Sequence, residues 1–378
     1  MKIGINALYL IPGKVGGSET YIRNLAKWLV KGGRDNEYFI FINQESQGIF
    51  EQLAPGMNVV LCPINAVNRP VRILLEQLIL PFQARRYDLD ILLSAGMTAP
   101  FYCPVTSILV IYDLQHINQP KNFSKIYLMF LRAIIYLSAK STDGVITISQ
   151  KVREDIVKYY KIPSEKIAVT YLAIDHNTFL PGDKEDIAQV REKYNLPERF
   201  ILYPASSLPH KNHERLFQAF QIIKKRVKDI KLVLIGARDK GYDVISEKIN
   251  RLGLQDDVVF LGWLPFEDIP LIYCLSEVFV FPSLHEGFGI PILEAMGCGV
   301  PVVCSGIEPI KEVAGYAAVF VDPYDPVSIA EGVLSALEDD LLRKRLIAEG
   351  FKRAKEFTWE NTALGTLSFL RSYNKIKK

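Results

Sequence analysis

A chain of 378 residues, 49% apolar and 23% charged, is long for one domain, comfortable for two, and ordinary in makeup for a soluble globular protein. Its 45 Lys and Arg against 42 Asp and Glu leave a formal charge of +3. That basicity is too weak to argue for a nucleic-acid partner, although a local basic patch can still face an anionic membrane. Five cysteines, Cys62, Cys103, Cys274, Cys298 and Cys304, are odd in number and lack CxxC spacing, which fits buried reduced thiols in a cytosolic protein.

The opening MKIGINALYL has a broken apolar stretch and no small-residue cleavage site, and reads as a first buried strand rather than a signal peptide. Strands are expected at 2–8, 37–43, 90–94, 106–113, 144–149 and 166–172. A second series follows at 200–205, 231–236, 258–262, 278–282, 300–305 and 318–322. These runs are apolar on both faces and alternate with helical patterns, which predicts an α/β architecture of doubly wound parallel sheets. Twelve strands exceed what one such sheet usually holds. The break is expected at 172–186, a stretch with Pro, Gly and charges and no clear periodicity. Two Rossmann-like domains, 1–173 and 174–356, are then expected to face each other across a cleft, with ligands beyond the carboxyl ends of the strands. The most apolar helical segment, 126–139, carries Arg132 and is too short to span a bilayer, so no transmembrane segment is expected. Residues 357–378 read as an amphipathic helix with a basic tail, expected to pack back on the first domain.

Several stretches carry candidate chemistry. In GKVGGSETYIRNLAKWL (13–29), Gly16 and Gly17 lie between a strand and a helix, where glycine lets backbone approach a ligand; the plainer reading makes Ser18 the helix cap. NRPVRILLEQLILPFQARR (68–86) has apolar residues at helical spacing and Arg69, Arg72, Arg85 and Arg86 toward its ends. A domain helix with solvated arginines is preferred there over an interfacial membrane contact. Asp88 and Asp90 form a DxD, but precede a strand at the wrong end for a metal-diphosphate site, so a solvated turn is expected. After the strand ending VIYD, Asp113 orients a hydroxyl or caps the turn, and His116 is a loop histidine. In ASSLPHKNHERLFQAF (205–220), Lys211 precedes a helix that Asn212 would cap, and a lysine there stabilises charge on a departing diphosphate.

The segment 278–305 reads as strand, turn, helix, strand, with the helix beginning near Ile290, Pro291 in its first turn, and Gly297 and Gly299 closing it. Gly287, Phe288 and Gly289 thus precede a helix N-terminus that offers amides and a positive dipole end to a phosphate. Glu286 and Glu294 flank this turn. Carboxylates repel phosphate and accept hydrogen bonds from hydroxyls. A ligand carrying a diphosphate between two sets of hydroxyls, as a nucleotide sugar does, satisfies both halves.

The E-x7-E spacing with GFG and a following GxPVV resembles the second-domain signature of retaining glycosyltransferases of family GT4, which have the GT-B fold. GGSE (16–19) and the approach WLPFEDIPLIYCLSEVFVFPS (263–283) resemble the family's pattern too, and the likeness extends over nearly the whole chain. The resemblance implies that Glu294 holds the ribose, Glu286 the transferred sugar, and the amides of Phe288, Gly289 and Ile290 the sugar and phosphates. It puts Gly16 and Gly17 at the diphosphate or acceptor, Ser206 at the donor, and Trp263 and Leu264 near the base. Two positions depart from the family. Tyr112 stands where a histidine is common, which leaves His116 to reach the sugar or acceptor. Ala205, Ser206 and Ser207 stand where an arginine is common, which leaves His210 or Arg215 as a substitute cation.

The implied activity is hexosyl transfer, of mannose or glucose type, from a nucleoside diphosphate sugar to a saccharide or lipid-linked saccharide, with retention of configuration. No resident cofactor and no metal are expected, nor a nucleic-acid partner. The expected place is the cytoplasm, with a peripheral contact at the inner membrane face. A GT-B epimerase and a nucleotide-sugar-binding protein without turnover are the alternatives; the glycine pattern is wrong for a dinucleotide.

Overall fold

The computed structural model describes residues 1–236 and 241–374, which divide into two compact units, residues 1–172 with the C-terminal helix from Trp359, and residues 173–358. Thirteen strands, all parallel among the described residues, form two sheets.

The first sheet contains β1 (Lys2–Asn6), β2 (Glu37–Ile42), β3 (Asn58–Leu61), β4 (Ile91–Ser94), β5 (Thr106–Ile111), β6 (Gly144–Thr147) and β7 (Ile167–Val169), in the order β3-β2-β1-β4-β5-β6-β7. The second contains β8 (Phe200–Pro204), β9 (Lys231–Ile235), β10 (Val258–Gly262), β11 (Val278–Phe281), β12 (Val302–Ser305) and β13 (Ala318–Val321), in the order β10-β9-β8-β11-β12-β13. Central strands are buried end to end because helices cover both faces. In each sheet the order reverses once, between β1 and β4 and between β8 and β11. Connections leave a reversal in opposite directions, and a crevice opens at the carboxyl ends of those two strands.

The strands are shorter than the apolar runs. The first stops at Asn6, whose Oδ1 accepts the amide of Leu8 at 3.0 Å and turns the chain. The edge strand β3 is absent from the expected set: NVVL is four residues long and only half-buried, too short for periodicity to show.

The helix Trp359–Asn374 packs on the helix Gly17–Gly32 of the first unit. Trp359, Leu367 and Leu370 are buried there, each contributing about 1.5–3 kcal/mol. Thr362 Oγ1 donates to the Tyr171 carbonyl at 2.7 Å, and Tyr373 hydroxyl to the Asp143 carbonyl at 3.0 Å. Residues 375–378, the expected basic tail, lie outside the described residues. No helix among the described residues is long and apolar enough to cross a membrane.

Candidate active site

The reversal between β8 and β11 brings together two loops far apart in sequence. After β8 the chain makes a short turn, Pro209–Lys211, passes Asn212 in the left-handed region (φ 65°), and enters the helix His213–Arg226. After β11 it runs through His285, Glu286 and Gly287 into the helix Ile290–Gly297. The loops are stitched: Leu284 amide donates to the His210 carbonyl at 2.8 Å, and Asn212 Nδ2 to the Pro282 carbonyl at 2.9 Å. Asn212 therefore occupies the cap position but spends its amide on tying the loops, with no side-chain cap bond to its own helix.

This stitching sets Lys211 Nζ 2.6 Å from Glu286 Oε1, with side chains 17% and 13% exposed. Lys211 also lies over the Phe281 ring at 5.3 Å, and its carbonyl accepts from the Tyr203 hydroxyl. Burial alone would raise the Glu286 carboxyl, but the charge and hydrogen bond of Lys211 outweigh it and hold the group below the usual range. Glu286 is thus an ionised acceptor and Lys211 a fixed cation.

Gly289, with φ at 103°, is the N-cap of the helix Ile290–Gly297, and Pro291 sits in its first turn. Glycine adopts that angle without strain and contributes no side chain to the cap. Phe288 is buried edge-on against Phe357, with ring centroids 5.8 Å apart, which anchors the loop. The amides of Phe288, Gly289 and Ile290 therefore belong to a held turn at the positive end of a helix. One turn further on, Glu294 Oε2 accepts from the hydroxyl of Tyr273 at 2.8 Å. Burial lifts its carboxyl to about 7, with the Tyr273 bond opposing.

The remaining residues expected at the donor end sit at the same edge. Ser206 is half-buried just past β8, and Leu264 is buried just past β10 beside an exposed Trp263. Of the two substitute cations, His210 is lost. His210 is buried, and desolvation with the nearby Lys211 pushes it down to about 4, so it is neutral near pH 7. Arg215 donates to the Tyr324 carbonyl at 3.2 Å and to Asn212 Oδ1 at 3.1 Å.

In the first unit, Gly16 (φ 58°) is the cap of the helix Gly17–Gly32. Ser18 is not: its hydroxyl donates back to the Val15 carbonyl at 2.9 Å. Glu19 is consumed locally, accepting from Gly13 amide at 2.7 Å and Arg23 Nε at 2.9 Å. His116, expected to reach the sugar or acceptor, is turned into the core. It is 3% exposed, its Nε2 lies 2.8 Å from the Tyr160 hydroxyl, and burial pushes its imidazole down to about 4. The cause is the short helix Gln115–Asn118, which turns the ring inward. Asp113 Oδ1 accepts the Gln115 amide at 3.1 Å and so caps that turn. Tyr112, at the family's histidine position, donates to the Ala95 carbonyl at 2.7 Å.

Asp88 and Asp90 lie at the amino ends of β1 and β4, where Asp90 accepts the Lys2 amide at 2.8 Å. The expectation of solvated arginines on 68–86 fails for Arg72, which is 3% exposed and paired with a fully buried Glu76 at 2.5 Å. Two partners escaped the sequence reading. Tyr273 had no local signal. Arg72 and Glu76 did have one, an i,i+4 charge pair inside an apolar helix.

The family models for "Glycosyltransferase Family 4" and "Glycosyl transferases group 1" match residues 15–178 and 184–353. The O-antigen chain mannosyltransferase B of Escherichia coli is 33% identical over 273 residues, 71% of each chain. The chain belongs to the family 4 glycosyltransferases. A serotype-specific mannosyltransferase WbdA of Escherichia coli is 29% identical over 271 residues, 69% of this chain and 32% of that longer one. Among solved structures, Anabaena Alr3699/HepE in complex with UDP and glucose superposes with a TM-score of 0.77 over 98% of this chain and 100% of that one, at 21% identity. The two Rossmann-like units are those of the GT-B fold, and this glycosyltransferase carries its Lys211–Glu286 pair at the reversal point of the second.

Proposed function

We propose that this glycosyltransferase moves a hexosyl group, of mannose or glucose type, from a nucleoside diphosphate sugar to a hydroxyl of a saccharide or lipid-linked saccharide, with retention of configuration. The observation that carries the reading is the Lys211–Glu286 pair at 2.6 Å beside the Gly289-capped helix, with Glu294 one turn behind. That set matches a donor part by part. Amides and Lys211 meet the diphosphate, Glu286 accepts from hexose hydroxyls, and Glu294 accepts from the ribose diol. As the bond from the anomeric carbon to the phosphate oxygen breaks, Lys211 and the helix dipole stabilise the departing charge without a metal. The acceptor oxygen bonds to the anomeric carbon on the same face, and its proton passes to the leaving diphosphate. Mannosyl relatives and a UDP-glucose-type neighbour support the hexose assignment.

A lipid-linked acceptor has its own support. The helix Arg69–Arg86 presents Val71, Leu74, Leu78 and Phe82 to solvent along one stripe, and the neighbouring helix Lys125–Ser141 presents Ile126 and Met129. Exposed cations Arg85, Arg86, Lys125, Arg132 and Lys140 accompany them, and neither helix has an exposed acid. An apolar face with basic charge and no acid suits the surface of an anionic bilayer.

A non-catalytic binding protein remains the second reading, favoured by one observation: His210, one of the two substitute cations, is buried and neutral near pH 7. A thermal-shift screen of nucleotide sugars, followed by transfer assays with the stabilising one, tests both. Stabilisation with product supports the transferase; stabilisation with no transfer and no donor hydrolysis supports the binding protein; no stabilisation refutes both.

A further inference from the structure

The reversal between β1 and β4 holds a cavity of about 360 Å³ inside the first unit. Tyr9 follows β1, Met97 follows β4 and Tyr112 follows β5, while Arg69 and Arg72 enter from the helix Arg69–Arg86. These two guanidiniums are the charged lining residues, and they lie one helical turn apart, where like charges repel. Among the described residues one carboxylate is paired with them. Arg72 donates to Glu76 Oε1 at 2.5 Å, and the other oxygen of Glu76 accepts from Thr98 at 3.0 Å, so both oxygens of Glu76 are engaged away from Arg69. Arg69 donates through Nη1 to the Tyr127 hydroxyl at 2.9 Å, while its Nε–H is buried without a partner. A buried donor left unmade is costly, and a half-buried guanidinium with no carboxylate of its own adds to that cost. An anionic ligand removes both costs, because guanidinium matches an oxyanion with two parallel bonds.

The rest of the lining describes what the anion is attached to. Tyr9 donates its hydroxyl to the Ser18 carbonyl at 2.9 Å and Tyr112 donates to Ala95 at 2.7 Å. Both phenolic oxygens keep acceptor capacity, which suits ligand hydroxyls. Ile11, Val15 and Met97 supply apolar wall.

The geometry points to a phosphoryl-binding subsite formed by Arg69 and Arg72, which selects a phosphate-bearing saccharide. Its assignment to the acceptor rests on the transferase reading above; the anion site itself does not.

The test titrates glucose 1-phosphate and decyl phosphate, by calorimetry, into the full chain carrying Lys211→Met with Glu286→Gln, so that the donor-site cation of the second unit is absent and no buried carboxylate is left unpaired. The expected result is measurable binding of at least one probe, weakened roughly tenfold or more by adding Arg69→Gln, as loss of a charge-assisted pair implies. Arg72→Gln alone strands a buried carboxylate and endangers folding. Arg72→Gln with Glu76→Gln keeps that pair neutral and is expected to weaken binding likewise. Tighter glucose 1-phosphate identifies a soluble sugar phosphate, and tighter decyl phosphate a lipid-borne one. Binding of neither probe, or affinities unchanged by Arg69→Gln, overturns the proposal. Anion binding together with no transfer by the unsubstituted chain sinks the transferase reading alone.

Discussion

Replacing Glu286 by glutamine keeps the side chain's shape and one acceptor oxygen while removing the charge that faces Lys211 at 2.6 Å. The Lys211 ammonium keeps its charge and a neutral acceptor but loses its counter-charge, so the fold should lose about 1–3 kcal/mol, less than the roughly 3–5 kcal/mol of a fully buried pair broken outright. In a domain of this size each kcal/mol lowers the melting temperature by about 2–4 °C. The protein therefore stays folded at assay temperature. The effect on transfer should be larger. A carboxylate that tightens its grip on the sugar hydroxyls as the glycosidic bond breaks acts in the transition state, and losing one such contact costs roughly 10²–10³ in kcat. The double variant Lys211→Met, Glu286→Gln separates two roles. If the carboxylate merely neutralises the lysine, the double variant recovers activity toward that of Lys211→Met; if it holds the sugar, the losses compound. The assay is the initial rate of nucleotide release and of mass-shifted product at saturating donor. Turnover of Glu286→Gln within about threefold of the parent, with normal donor affinity, would refute the assignment.

Glu294 offers a pH signature. Its carboxyl, lifted from 4.5 to about 7, is protonated in the folded state over a window where the unfolded chain is ionised. The associated stability is present below the unfolded value and is lost as pH rises through 7, by up to about 3 kcal/mol. Glu294→Gln should therefore raise the melting temperature relative to the parent at about pH 8 more than at about pH 5. Donor affinity in the parent should improve over the same rise, because the ionised form accepts from the diol, and that improvement should vanish in the variant; a flat parent profile counts against the ribose role. Treatment with a chelator should leave transfer intact, and a loss reversed by added divalent ion would put a metal back on the diphosphate. Leu78→Glu with Phe82→Glu should abolish co-sedimentation with phosphatidylglycerol vesicles, since each buried side chain of this kind contributes about 1.5–3 kcal/mol, without altering donor binding. Undiminished sedimentation would place the membrane face elsewhere.

Much of the fold was legible because its signals are local. Apolar β-branched runs alternate with helical periodicity wherever a parallel strand is covered on both sides, and that pattern is written within ten residues. The edge strand Asn58–Leu61 escaped because an edge is half-solvated and this one is too short to show a period. The glycine turn was legible for the same reason as the strands. Gly289 in the left-handed region and Pro291 in the first helical turn obey rules set by their own backbone, and the two flanking glutamates raised a charge problem that hydroxyl donors solve.

What lay outside the sequence's reach is every relation that the strand order creates. Lys211 and Glu286 are 75 residues apart and meet because β8 and β11 are neighbours. The burial of His116 against Tyr160, across 44 residues, depends on which side of a helix the sheet covers. Periodicity tells that a face is covered; it carries no record of the atoms that cover it. Charge state follows the cover. Two glutamates alike in the sequence part ways in the folded chain, one held low by an ammonium and one raised to about 7 by burial beside a phenol.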